Sequence, residues 1–237
     1  MYKIDTSIRS DESEIMDNFK LQGSALGKTL DDLENINTWL GGNRITIKGV
    51  EELLKNSPTD REIRIADIGC GNGAVLRKIS AWAGKKNYKL QLTGIDANDH
   101  AIKIGEELSA DHSNLDFKCL NIFSEEFKQM KFDIILCTLT LHHFKDQQII
   151  NLLDQLTGQA ELGIVINDLH RSSTAYFLFK AFCAVFVNND IARKDGLISI
   201  LRGFKKEDLA GYKDRISASN HSIKWKWAFR YQWIIKK

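Results

Sequence analysis

From Glu62 to Asp168 the sequence alternates short, nearly unbroken apolar runs with longer stretches of helical periodicity, and few architectures accommodate that alternation. Continuous apolar runs suit strands covered on both faces, and a helix between two of them supplies the crossover that parallel pairing requires. Strands are expected at Ile63–Ile68, Leu90–Ile95, Leu115–Cys119, Phe132–Cys137 and Leu162–Asp168. Helices are expected at about Ala74–Ala83, Asp99–Ala110 and Ile149–Leu156. The fold class is α/β, a mostly parallel sheet with helices on both faces.

The flanks read differently. Residues 1–60 are helical in character: Leu30, Leu33, Ile36, Asn37 and Leu40 recur at helical spacing, and Gly41-Gly42 ends the run. Toward the carboxyl end, Ile223, Trp225, Trp227, Phe229, Tyr231, Trp233 and Ile235 alternate with Lys224, Lys226, Arg230, Gln232 and Lys236. That is the period of a strand, long enough to be split into a hairpin by a turn near Ala228-Phe229. Interleaved basic and aromatic residues also suit base stacking, but strict alternation favours a sheet with one buried aromatic face. Between these parts, about 170–220 forms a further segment holding the apolar run Ala175–Val187.

Composition excludes several classes. A net charge of +2 removes the broad basic field of a protein that grips phosphates, so no nucleic-acid partner is expected. Ala175–Val187 is interrupted by Lys180 and falls short of the roughly 20 residues that span a bilayer. The start of the chain lacks the apolar core of a signal peptide, so a cytoplasmic location is expected. Cys70, Cys119, Cys137 and Cys183 form no C-x-x-C pair, which argues against structural zinc or a disulfide framework.

The chemistry is carried by Ala66-Asp67-Ile68-Gly69-Cys70-Gly71-Asn72-Gly73, a strand that runs through an acid into three glycines before a helix. Such glycines let a ligand approach bare backbone amides at a helix amino terminus. Gly94-Ile95-Asp96 ends the second strand with a carboxylate able to accept from both ribose hydroxyls of an adenosine. Gly69, Gly71 and Ala74 also satisfy G-x-G-x-x-A, so a nicotinamide cofactor is the competing reading.

With an acid ahead of the glycines, the sequence resembles the class I S-adenosylmethionine-dependent methyltransferases over roughly Arg64 to Asp168. Asp67–Gly73 looks like their first motif, Asp96 their ribose acid, Asn121-Ile122 the adenine-reading position and Phe132–Cys137 the fourth motif. Leu33–Asn37, Leu40–Arg44, Asp168–Arg171 and Arg202–Phe204 are similar to segments of small-molecule methyltransferases of the quinone-biosynthetic type. The resemblance implies a Rossmann-like methyltransferase fold with a mostly parallel seven-stranded sheet. It also implies that S-adenosylmethionine is bound through Asp67, Gly69, Cys70, Gly71, Asp96, Ala97, Asn121, Ile122 and Cys137. Arg44, just after Gly41-Gly42, would close on its carboxylate if the amino-terminal helices fold over the site, and is otherwise a solvated arginine. Asn121 stands where that family often has Asp. Residues 1–60 would then be a helical cap and 61–237 the methyltransferase domain, with a helical lid at about 170–220.

Methyl transfer from a sulfonium needs alignment and, for a hydroxyl acceptor, removal of a proton. The candidate bases are His142 and His143 beyond the fourth strand and His170 beyond the fifth, where Asp168-x-His170 spacing would let a carboxylate orient the imidazole. Catalysis by proximity without a protein base is the other reading. No metal is expected, because the fourth strand ends in Cys137-Thr138 with no acid to help Asn167-Asp168 hold magnesium. Methylation of an exocyclic adenine nitrogen usually uses a Pro-Pro-aromatic loop in related enzymes, and the single proline is Pro58. The expectation is O-methylation of a lipophilic phenolic, quinol or polyketide-like small molecule; the apolar runs Tyr176–Phe179 and Ala181–Val187 either line its pocket or add core packing between lid and sheet. C- or N-methylation and non-catalytic S-adenosylmethionine binding are the alternatives.

Overall fold

The computed structural model describes residues 4–55 and 61–237; Pro58 and the first three residues lie outside the described residues. A single sheet of seven strands organises the chain: β1 (Ile63–Ile68), β2 (Leu90–Asp96), β3 (Leu115–Cys119), β4 (Phe132–Thr138), β5 (Ala160–Leu169), β6 (Asn220–Lys226) and β7 (Arg230–Lys236). Their spatial order is β3-β2-β1-β4-β5-β7-β6. The first five strands are parallel, and β7 runs antiparallel between β5 and β6. The order reverses direction between β1 and β4, the place where open α/β sheets bind their ligands.

Two apolar layers hold the sheet. On one face Ala66, Ile68, Ile135, Ile164, Ile166 and Trp233 pack against Ile149, Leu152, Leu153 and Leu156 of α6 (Asp146–Gln159). On the other, Ile65, Ile134, Leu136, Val165 and Ile234 meet Val50 and Leu54 of α2 (Gly42–Leu54) and Leu76 and Ile79 of α3 (Ala74–Lys86). Thus α2 is one of the helices that cover the sheet, and Gly49 lies so close to Val165 that an added Cβ would collide with it. In the segment before it, α1 (Gly23–Trp39) sets Leu30 against Gly71 of the glycine loop. The helical character expected of residues 1–60 therefore serves two different ends.

The segment between β5 and β6 forms α7 (Ser173–Phe186), α8 (Asp190–Arg202) and α9 (Lys206–Lys213). Within α7 only Ala175 and Cys183 are buried, and Val185 is 73% exposed. The expected enclosed lining by Tyr176–Val187 is therefore not formed; instead Phe182 and Phe186 meet Trp39 of α1 edge-on, with ring centroids 6.1 and 6.3 Å apart. No helix among the described residues is long and apolar enough to cross a membrane. The remaining helices, α4 (Asp99–Leu108) and α5 (Glu125–Lys128), follow β2 and β3.

The aromatic alternation is split into a hairpin as expected, with Phe229 in the left-handed region at φ 53°. Tyr231, Trp233 and Ile235 are buried, whereas Trp225 and Trp227 on the edge side of the turn are exposed. Because β7 lies inside the sheet, its other face is covered too, and Arg230 and Gln232, expected on a solvated face, are buried.

Candidate cofactor and acceptor site

The glycine loop leaves β1 at the carboxyl edge of the sheet, its three glycines at φ 68°, 55° and 75°, a left-handed region disfavoured for other residues. A Cβ on Gly69 would come within 2.7 Å of Thr140 in the loop after β4, so the two loops that frame the site touch. Asp96 fixes the third side. Its Oδ2 accepts from Gly71 N–H at 2.9 Å and its Oδ1 from Asn98 N–H at 2.9 Å, leaving further lone pairs of both oxygens.

Asp67 is buried and its Oδ1 finds no hydrogen-bond partner among the described residues. Burial, reinforced by the nearby Asp96 carboxylate, pushes its pKa well above the ordinary range. A cation placed here would relieve that penalty. Behind the loop, Arg77 pairs with Glu34 of α1 at 2.9 Å and also donates to Asn72 O.

Other expected residues are distributed unevenly. Ala97 and Ile122 are half-buried beside the site. Asn121 is exposed, its side-chain oxygen accepting from Phe123 N–H at 2.9 Å. Cys70 and Cys137 are buried thiols, each held protonated by burial first and nearby carboxylates second. Cys137 packs in the α6-side core. Arg44 is exposed on α2, whose neighbours Asn43 and Ile45 are the buried ones.

The three histidines separate. Asp168 does not orient His170; its Oδ1 lies 2.7 Å from Nδ1 of His142, and its Oδ2 accepts from His142 N–H at 3.3 Å. The strand ends at Leu169, and His170 turns away to bridge Phe204, where its Nδ1 accepts from the Trp225 indole at 3.2 Å. Burial, with Lys205 and Arg171 nearby, lowers its pKa, so near neutrality the remaining proton sits on Nε2 and no ring lone pair is free to act as a base.

His142 follows β4 in the 3-10 turn Leu141–His143 and is buried between two carboxylates, Asp168 at Nδ1 and Glu14 at 3.5 Å from Nε2. Burial by itself would lower its pKa, but Asp168 and then Glu14 outweigh burial and raise it to about 9. Glu14 and Asp168 are correspondingly held below the ordinary carboxylate range despite their own burial. His143 Nδ1 sits 2.7 Å from Asp17 Oδ1.

Sequence reasoning missed Glu14 and Asp17, which come from the amino-terminal segment. Arg202 ties them down, pairing with Asp17 at 2.6 Å and donating to the carbonyls of His142 and His143. No local pattern could reveal this, since Asp17 and His143 stand 126 residues apart. Glu14, His142 and His143 also bring ligand-type atoms within 4.8 Å of one another, a donor set for a metal that the sequence did not suggest.

The sheet order, the glycine loop after β1 and the acid ending β2 define a Rossmann-like methyltransferase fold. Residues 65–159 match the family model described as Methyltransferase domain. Residues 65–159 therefore carry a methyltransferase domain, a family that uses S-adenosylmethionine, on a Rossmann-like methyltransferase fold. The unpaired Asp67 carboxylate fits the positive charge of that cofactor.

Among solved structures, the plantazolicin methyltransferase BpumL in complex with SAH is similar with a TM-score of 0.65 at 18% identity, covering 88% of this chain and 89% of that one. The CurJ carbon methyltransferase follows at 0.62 and 14% identity, covering 82% and 53%. The citrinin polyketide synthase CMeT domain gives 0.60 at 14% identity, covering 79% and 50%. A curated relative, the non-reducing polyketide synthase atr1 of Stereocaulon alpinum, is 23% identical over 125 residues, 51% of this chain but only 5% of that protein's length.

Proposed function

We propose that this chain O-methylates a lipophilic phenolic, quinol or polyketide-like small molecule. The observation that carries the reading is the His142–Asp168 pair, built at the end of β4 against the loop that touches the cofactor's glycines. Asp96 accepts from the ribose hydroxyls, the glycine-loop amides line the methionine end, Asp67 balances its positive charge and Asn121-Ile122 flank the adenine. S-adenosylmethionine would supply an electrophilic methyl there: the acceptor oxygen would bond to it in line as its bond to sulfur breaks, with S-adenosylhomocysteine as the leaving group.

Asp168 holds Nδ1 of His142 and leaves Nε2 as the atom that takes the acceptor's proton, where Glu14 now faces it. A base with a pKa of about 9 is well matched to a phenol, whose own pKa is near 10. Such a base must first release its resting proton, so turnover rises with pH. Trp39, Phe182 and Phe186 offer the aromatic surface for the acceptor's apolar part.

A second reading is C-methylation, favoured by the similarity to polyketide synthase carbon-methyltransferase domains. Phenols and enols lose the same proton on either route, and the atom facing the sulfonium decides the product. Incubation with methyl-13C-labelled S-adenosylmethionine and a panel of alkylphenols tests both: a methoxyl carbon signal supports O-methylation, and an aryl-methyl signal replaces it with C-methylation. Binding of S-adenosylhomocysteine with no product from any phenol or enol would sink the catalytic assignment.

A further inference from the structure

Four buried polar atoms without hydrogen-bond partners among the described residues gather where α1 turns into α2: Arg230 Nε and Nη1, Asn37 Oδ1 and Asn167 Oδ1. Gly42 sits at their centre. A Cβ there would collide with Asn37 Oδ1 and come within 2.8 Å of the Arg230 guanidinium, while Gly42 O accepts from Asn167 Nδ2 at 3.0 Å. Arg230 is 2% exposed and forms no ion pair among the described residues. The charge that acts on it is Asp168, which is already committed to His142. A buried guanidinium without a counter-charge is costly, and an incoming anion would remove the penalty.

A second feature points the same way. Gly42 opens the 13-residue α2, whose N-cap Gly41 has no side chain to cap it and whose first turn carries no acid. Because Gly42 is the first residue of that helix, the amino-terminal turn with its positive dipole end lies at the same corner. The unpaired oxygens of Asn37 and Asn167 would accept from hydroxyl donors beside the anion.

Position in the sheet assigns the anion. Arg230 opens β7, three strand spacings from β1 and hence about 14 Å away, whereas the glycine loop and Asp96 follow β1 and β2. In the proposed binding mode the adenosine lies over Asp96 and Asn121, toward β3, and the corner lies on the opposite side of β1, next to the exposed Trp39–Phe186 aromatic cluster.

We propose that Arg230 and the amino terminus of α2 bind a carboxylate of the methyl acceptor, with Asn37 and Asn167 accepting from a neighbouring hydroxyl. The substrate class is thus a lipophilic hydroxyaromatic acid. This inference rests on the methyltransferase reading for the word acceptor, but the anion site itself does not.

Salicylate and salicylamide, which differ in the anionic charge, are titrated calorimetrically into the full chain with and without saturating S-adenosylhomocysteine. Salicylate should bind at least about tenfold more tightly, the scale of charge-assisted hydrogen bonds. Arg230→Met should erase the preference and Arg230→Lys should restore part of it, with affinity for S-adenosylhomocysteine unchanged. Equal binding of the two probes, or no binding of either, overturns the proposal, and this wild-type comparison needs no variant. If Arg230→Met instead weakens S-adenosylhomocysteine but not its decarboxylated analogue, the site serves the cofactor and the proposal also fails. Anion preference in a protein that does not bind S-adenosylhomocysteine would keep the site and defeat the methyltransferase reading alone.

Discussion

The buried imidazolium of His142 should make the protein lose stability as pH rises through a range where ordinary histidines no longer titrate. Its folded pKa is about 9 against an ordinary 6.5, so between those values the native state holds one more proton than the unfolded chain. The group's contribution is fully present below about 6.5 and is lost as pH rises through about 9. The full effect is on the order of 3 kcal/mol, shared with Asp168 and Glu14, and about 1.5–2 kcal/mol of it should disappear between pH 7 and 8.5. Above that window the buried thiols of Cys70 and Cys137, whose pKa values are also raised, add a loss of the same sign.

Urea unfolding at half-unit steps from pH 6.5 to 8.5 measures the slope, and Asp168→Asn isolates its origin. The amide keeps an acceptor near Nδ1 but removes the largest influence raising the His142 pKa, so the variant should be less stable at pH 7 and show a flatter curve. The carbon-bound ring protons of His142 in NMR give the independent reading. Parallel stability curves for the two proteins, or a His142 resonance that titrates below pH 7, would refute the account.

Under the proposed O-methylation, log kcat/KM should climb to about pH 9, since about 1% of a base with that pKa is neutral at pH 7. Glu14→Gln removes a carboxylate that raises the His142 pKa, so this limb should move to lower pH; an unmoved limb would take His142 out of the base role. Asp96→Asn should weaken S-adenosylhomocysteine binding about a hundredfold by removing charge-assisted hydrogen bonds, with the fold retained, as checked by calorimetry and circular dichroism. Gly42→Ala should cost about 2 kcal/mol or more by driving a methyl into Asn37 and Arg230. By contrast, Gly27→Ala in open space on α1 should add about 0.5–1 kcal/mol, and thermal melts compare the two.

The strands and the glycine loop were legible because their signals are local. Ile63–Ile68 is apolar because it is covered on both faces, and the glycines that follow answer a backbone demand at their own positions. The expected β5 began two residues late because α6 runs through Gln159 straight into Ala160, leaving no loop residues to mark the junction. The Asp168–His170 pairing failed for a related reason: spacing of two places side chains on one face only while the strand continues, and the chain leaves the strand after Leu169.

Alternation reports which face a residue occupies, and burial depends on what covers that face. Arg230, Gln232 and Lys236 share one periodic set with Lys224 and Lys226, yet Arg230 and Gln232 are buried and Lys224 is exposed. The difference lies in the order β5-β7-β6, which puts the second strand of the hairpin inside the sheet and the first at its edge. Once β7 is interior, α2 must cover its second face, and Gln232 meets that demand by donating to Ile45 O at 2.7 Å. Arg230, one step nearer the ligand edge, leaves Nε and Nη1 without a hydrogen-bond partner among the described residues. A charge retained there at the expense of stability is the residue most readily explained by something the chain binds.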